Sequence, residues 1–259
     1  MKDTVITIHG AFCAGWAFED WHPQLRAIGF DCHAPDLPYH DQSPDAPPDP
    51  RLATASLLDY VAWLEIYIES LALERPPVLI GHSMGGLIAQ ILAARGRARA
   101  LILLAPSAPW GVLPTSEHEF YSALALACAG QGAWWSMPLM PSYTLAAELA
   151  LDRLPSRQRQ RIFSRFVPES GQATFEILHW ALDVNRASRV HPRDVTVPVL
   201  ALAGERDRVT PAETVRQVAR RYRDVADYVA FDGFSHWLHG EPGWEKIMGV
   251  ATDWLNRRL

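Results

Sequence analysis

The sequence predicts an α/β fold, a mostly parallel sheet with helices on both faces, and three observations carry that prediction. Apolar runs of strand length recur at residues 5–8, 30–33, 78–80, 100–104, 199–203 and 228–231. Longer stretches of helical periodicity separate them. Gly, Pro, Asp or Arg bounds each run. Composition agrees, since 49% of the 259 residues are hydrophobic and 20% are charged, far from the signature of disorder. A chain of this length holds one large α/β domain or a core carrying an inserted lid.

The elements follow in order. The first run ends on His9-Gly10-Ala11-Phe12, a glycine turn at a strand end. After the second run, residues 36–50 are rich in Pro and Asp and read as a loop, because Pro breaks both helix and ladder hydrogen bonding. Leu57, Val61, Leu64, Ile68 and Leu71 step by three and four residues, the apolar stripe of a helix that covers a sheet and stops at Arg75-Pro76-Pro77. The third run leads through Gly81-His82-Ser83-Met84-Gly85-Gly86 into a helical run over 87–94. Beyond the fourth run the alternation breaks. Residues 108–194 carry no convincing strand, and we expect a helical cap there, inserted into a core formed by 1–107 and 195–259. Within it Arg153, Arg157, Arg159, Arg161 and Arg165 predict a basic helix, either a solvated face or a receiver for an anionic substrate or acidic carrier protein. The last two runs then restore the alternation.

In a sheet of this kind the active site lies at the carboxyl ends of the strands, so the residues that carry chemistry should follow strands. Gly81-His82-Ser83-Met84-Gly85 fits the Gly-x-Ser-x-Gly nucleophile elbow in its strand-turn-helix setting. The turn strains the serine backbone and leaves its hydroxyl at the head of a helix, whose free N–H groups stabilise an oxyanion. The Met84 N–H is the expected first donor, and the Ala11 N–H the second, with Phe12 as the neighbouring alternative. A serine needs a base and an acid to become a nucleophile. Asp207 follows the fifth run within Gly204-Glu205-Arg206-Asp207, and His236 follows the last within Phe234-Ser235-His236-Trp237. Glu205 and His239 are the rivals for these two roles. A metal pair of His236 and His239 lacks a carboxylate or thiolate at ligand spacing, so no metal is expected.

With the His-Gly turn, Gly-His-Ser-Met-Gly-Gly, the Gly-Glu-Arg-Asp loop and the final Ser-His-Trp in place, the chain resembles the α/β-hydrolase superfamily along nearly its whole length. The resemblance implies a triad of Ser83, His236 and Asp207, an acyl-enzyme intermediate and no cofactor. The opening residues 5–30 are similar to the short-chain branch that includes plant carboxylesterases and hydroxynitrile lyases. The chain departs from the family pattern in two places. It starts at the strand bearing the His-Gly turn, so the sheet should have about six strands without the usual leading hairpin. The family's Gly-His-Gly-x-Ser loop reads here Tyr39-His40-Asp41-Gln42-Ser43, so no substrate contact is carried over from it.

A serine at the elbow excludes the displacement at carbon that dehalogenases and epoxide hydrolases perform with a carboxylate, and leaves attack on a carbonyl. The lyases of this fold hold cyanide with a cap lysine, whereas the lysines here are Lys2 and Lys246. A carboxylic ester of a small to medium hydrophobic substrate is therefore the expected target. Thioesters, lactones and carbon–carbon bonds remain open with the same triad. The cap residues Trp110, Phe120, Tyr121, Trp134, Trp135, Met137, Met140, Tyr143 and Trp180 offer apolar lining. Among them Trp134, Trp135 and Met137, together with Phe12, are the expected substrate pocket. A net charge of −5 argues against nucleic acid as a partner. No apolar stretch reaches membrane-spanning length, the start reads as no signal peptide, and three unpaired cysteines, Cys13, Cys32 and Cys128, suit reduced thiols in the cytoplasm.

Overall fold

The computed structural model describes residues 3–116 and 133–259; Phe120, Tyr121 and Cys128 lie outside the described residues. Six parallel strands form the main sheet: β1 (Thr4–Ile8), β2 (Asp31–His33), β3 (Val78–His82), β4 (Ala100–Leu104), β7 (Val199–Gly204) and β8 (Ala226–Phe231). Their spatial order is β2-β1-β3-β4-β7-β8. The chain steps outward from β1 to β2 and then returns to the other side of β1 with β3. This reversal opens a crevice beyond the carboxyl ends of β1 and β3, the place where such sheets bind ligands.

The apolar runs are continuous because both faces of the sheet are covered. Along β4, Leu101 and Leu103 face one core together with α2 (Leu57–Ser70) and α3 (Met84–Ala94). Ala100, Ile102 and Leu104 face the other, with Phe18, with Trp21 and Leu25 of α1 (Trp21–Ala27), and with Ile247, Met248, Ala251 and Trp254 of α8 (Trp244–Arg258). The period of two places successive residues on opposite faces, and each face meets apolar helix surface. α7 (Ala212–Arg221) packs on β7 and β8 through Val215 and Ala219. The helix expected from the 57–71 stripe buries Leu57, Tyr60, Val61, Leu64 and Ile68, and begins at a capping box in which Ser56 and Asp59 each bond the other's backbone.

Between β4 and β7 the described residues form α4 (Tyr143–Leu149), α5 (Ser156–Phe163) and α6 (Gly171–Leu178). They also form a short antiparallel ladder of β5 (Pro138–Leu139) with β6 (Glu169–Ser170), where the sequence showed no strand. Two residues per strand are too few to leave an alternating pattern. The basic helix is also shorter than its arginines suggest. Pro155 stands at the N-cap of α5, and Arg153 and Arg165 lie outside the helix. Arg153 donates to the Gly233 carbonyl, Arg159 to the carbonyls of Asp152 and Leu154, and Arg165 to both oxygens of Glu19. Among the described residues no helix is long and apolar enough to cross a membrane.

Candidate active site

The site begins where β3 ends. Ser83 takes φ 51° and ψ −119°, a region that an L-residue occupies only under constraint. The constraint is visible on both sides. The Ser83 N–H donates to the Leu104 carbonyl at 3.0 Å, extending the β3–β4 ladder, while its own carbonyl accepts from Gly86 and Ser107 at 2.9 Å each. Gly85 is what lets α3 start so close to β1, because a Cβ there would collide with the carbonyl oxygens of Ile8 and His9. The first N–H of α3, on Met84, has no carbonyl one turn earlier to receive it, so it stands at the positive end of the helix beside the Ser83 side chain.

His236 arrives from the loop after β8 and Asp207 from the loop after β7. The two side chains bond at 2.9 Å between His236 Nδ1 and Asp207 Oδ2, and both residues are buried. A carboxylate only accepts, so Nδ1 carries the proton and Nε2 keeps a lone pair. The other oxygen of Asp207 accepts the Val209 and Thr210 N–H groups at 2.7 and 2.8 Å, which fixes the carboxylate in the plane the imidazole needs. Glu205, the rival acid, is exposed. His239, the rival base, is buried against Phe18 and Trp237 with ring centroids 4.9 and 4.4 Å away, and neither of its nitrogens finds a partner among the described residues.

Ser83 and His236 line one cavity of about 210 Å³ together with Ala11, Phe12 and Met84. No side-chain hydrogen bond of Ser83 is formed among the described residues, and a loose serine–imidazole contact is usual before substrate tightens it. The remaining wall is mostly apolar, with Leu145, Leu149, Phe166, Ile177, Trp180 and Trp237 prominent beside the polar Ser107, Thr174 and Thr210. Phe12 is in the lining of this cavity. Trp134, Trp135 and Met137 are not part of its described lining, and this corrects the sequence expectation. The turn that holds them wraps the start of α6, where Gly171 approaches the carbonyls of Trp134 and Met137 too closely for a side chain. Trp134 packs on Phe175 and His179, while Trp135 and Met137 are 45% and 47% exposed.

Sequence reasoning missed two residues that hold the His236 loop. The Nε2–H of His82 donates to the His236 carbonyl at 2.9 Å, and burial beside two other histidines keeps His82 neutral, well below the usual histidine range. Glu241 accepts from the Ser235 N–H at 2.9 Å and from the Ser235 hydroxyl. Its signal was present only as a Glu five residues past the histidine, which has no meaning until the loop is seen to fold back.

The match to known proteins covers the same elements. Residues 3–242 fit the family model described as alpha/beta hydrolase fold. A pimeloyl-[acyl-carrier protein] methyl ester esterase of Neisseria meningitidis serogroup A is 31% identical over 228 residues, which span 85% of this chain and 66% of that protein, just under two thirds of its length. A protein of the same name from a serogroup B strain is 30% identical over 85% of this chain and 80% of its own length. Among solved structures, a monoacylglycerol lipase of Paleococcus ferrophilus superposes with a TM-score of 0.72 at 22% identity, covering 99% of this chain and 95% of the lipase. Tomato methylketone synthase I does so with a TM-score of 0.76 at 15% identity over 100% of both chains. At such identities the structures speak for the fold alone. With the family model spanning all six strands of the sheet, this chain belongs to the alpha/beta hydrolase fold family.

Proposed function

We propose that this protein is a serine hydrolase that cleaves carboxylic esters of small to medium hydrophobic substrates through an acyl-enzyme on Ser83. The observation that carries the proposal is the strained Ser83 at the head of α3, in one cavity with an imidazole whose free Nε2 is set by the Nδ1 bond to Asp207. His236 Nε2 takes the serine proton as Ser83 Oγ attacks the carbonyl carbon, and returns it to the departing alcohol oxygen. Asp207 holds the imidazolium that forms in between. The amides of Met84 and Ala11 receive the oxyanion, and water then repeats the sequence on the acyl-enzyme.

The apolar wall supports a hydrophobic acyl group, since each buried methylene contributes about 0.8 kcal/mol and a charged group there would find no counter-ion. The methyl esters named for the Neisseria relatives are in keeping with a small alcohol leaving group. The cap expected at 108–194 belongs to this reading, which is supported by Thr174, Ile177 and Leu178 of α6 and Leu145 and Leu149 of α4, all in the lining of the cavity that Ser83 shares. We place the enzyme in the cytoplasm, where the free buried thiols of Cys13 and Cys32 stay reduced.

The test is a fluorophosphonate label with peptide mapping, beside turnover of methyl and p-nitrophenyl esters of increasing acyl length. Labelling at Ser83 is expected, with Ser83→Ala losing the label and roughly 10⁴-fold or more of the turnover. An undiminished label in Ser83→Ala overturns the assignment.

A further inference from the structure

We propose that His40 and Glu169 form a positioning pair for this reaction, tying β6, at the head of the cavity-lining helix α6, to the turn that carries the Ala11 amide. The inference rests on the reading of Ser83 as nucleophile and Ala11 as oxyanion donor. It starts from a feature that needs explaining, because His40 Nε2 meets Glu169 Oε2 at 3.0 Å and both side chains are 0% exposed. Burying an ion pair costs several kcal/mol per charge unless every remaining proton and lone pair is met.

Here they are met. His40 donates from Nδ1 to the Pro38 carbonyl at 2.9 Å, so with Glu169 on Nε2 both ring nitrogens face acceptors and both carry protons. The second oxygen of Glu169 accepts the Tyr60 hydroxyl at 2.8 Å and the Ser170 N–H at 2.7 Å. The neighbouring charge moves each partner the way the geometry requires, His40 upward and Glu169 downward from their ordinary values, against the opposing cost of burial.

The pair reaches the site through His9. The His40 ring lies 5.1 Å from the His9 ring, and His9 Nε2 accepts the Leu37 N–H at 3.0 Å. That leaves the His9 proton on Nδ1, from which it donates to the Gly10 carbonyl at 2.9 Å. The Gly10 carbonyl and the Ala11 N–H are opposite ends of one planar peptide, so holding one aims the other. A second proton on His9 would set its Nε2–H against the Leu37 N–H. Burial, with the His40 charge behind it, prevents this by lowering the His9 pKa to about 3. The residue at position 40 therefore acts on the oxyanion donor without touching substrate.

Such a residue changes the transition state more than the ground state. His40→Gln, Glu169→Ala and the double variant, each assayed well below its own melting transition, are compared for kcat, KM and inhibition by a trifluoromethyl ketone that mimics the tetrahedral adduct. We expect kcat to fall about 10- to 100-fold, below the loss from deleting an oxyanion donor outright. KM should stay within about twofold, inhibitor affinity should fall in parallel with kcat, and the double variant should be no worse than the weaker single, as for two parts of one unit. A lowered melting temperature with kcat and inhibitor affinity intact overturns the proposal, as does a change in KM alone. Imidazole nitrogen NMR of the wild type needs no variant to fold: two protonated nitrogens on His40 and a bare Nε2 on His9 near neutral pH are expected, and a neutral His40 overturns the pair. Fluorophosphonate labelling of the wild type separates the two levels. An unlabelled Ser83 defeats the catalytic reading, whereas a labelled enzyme with a fully active His40→Gln variant defeats only the pair.

Discussion

At the scale of single residues, the carboxylate we propose as the acid is held by backbone amides as well as by the histidine. The Val209 and Thr210 N–H groups hold one oxygen of Asp207 while the other meets His236, and Glu205, two residues earlier, keeps its N–H on the Phe231 carbonyl at the sheet edge and is exposed to solvent. Asp207→Asn should therefore leave the fold intact, favour the wrong imidazole tautomer and cost on the order of 10⁴ in turnover, by analogy with a protease triad. Glu205→Gln should change turnover by less than about twofold, as expected of a surface position. Equal melting temperatures and one activated ester decide it, and a crippled Glu205→Gln beside a normal Asp207→Asn reverses the assignment. Gly85→Ala is the backbone counterpart: its methyl would meet the Ile8 and His9 carbonyls, so α3 must back away from β1 and both stability and turnover should drop. These residues were legible in the sequence because each follows a strand at a fixed offset. His82 and Glu241 were not, since a histidine inside the elbow and a glutamate after the loop acquire their roles only from contacts across 154 and 6 residues.

At the scale of elements, the segment between β4 and β7 is fastened to the core by carboxylates. Glu176 of α6 sits at the amino end of α2, where it accepts the Leu57 N–H at 2.8 Å and the Ser56 hydroxyl at 2.8 Å, a site that the helix dipole favours for an anion. Ser170 adds a bond to the Ala55 carbonyl at 2.6 Å. Replacing Glu176 with Ala leaves the buried Leu57 N–H and the half-buried Ser56 hydroxyl without this acceptor and should destabilise the protein by about 2 to 3 kcal/mol. A fall of several degrees in melting temperature is expected. Unchanged melting would mean that α6 is held elsewhere. Because Thr174, Ile177 and Leu178 of the same helix line the cavity, the variant should also raise KM for the longer acyl esters more than for acetate. The core helices could be read from their apolar stripes, whereas the cavity wall could not. Trp134, Trp135 and Met137 have the composition of a pocket, but nothing in a sequence tells which side of a turn faces a neighbour. Ile177 and Leu178, two unexceptional aliphatics, are the ones that face Ser83's cavity.

At the scale of the whole molecule, histidines buried without charge set the response to acid. His9, His22, His82 and His239 are all held below the ordinary value of 6.5, His9 and His239 at about 3 and His22 at about 4, chiefly because burial penalises the charged ring. A depressed folded-state pKa means that the unfolded chain binds the proton first, so their contribution is complete above the unfolded value and is lost as pH falls from there toward the folded ones. Four such groups give a slope of about 5 kcal/mol per pH unit once the unfolded rings are fully protonated. His40 runs the other way. Its raised pKa stabilises fully below the unfolded value, and that share is lost only as pH rises through the folded one. Stability should therefore peak near neutrality, fall steeply toward pH 5 and fall gently on the alkaline side. Denaturant titrations across this range read the slopes directly, and equal stability at pH 7 and pH 5 would contradict the argument. His239 allows a sharper form of the test. Its ring makes no hydrogen bond among the described residues, stacks on Phe18 and lies tilted against Trp237, so an aromatic hydrocarbon suits the site as well as an imidazole does. His239→Phe removes two unmet polar atoms and one of the four protons. It should match or exceed the wild type at pH 7, retain turnover, and reduce the acid slope by about a quarter; a variant that loses turnover while remaining folded would instead return His239 to the chemistry.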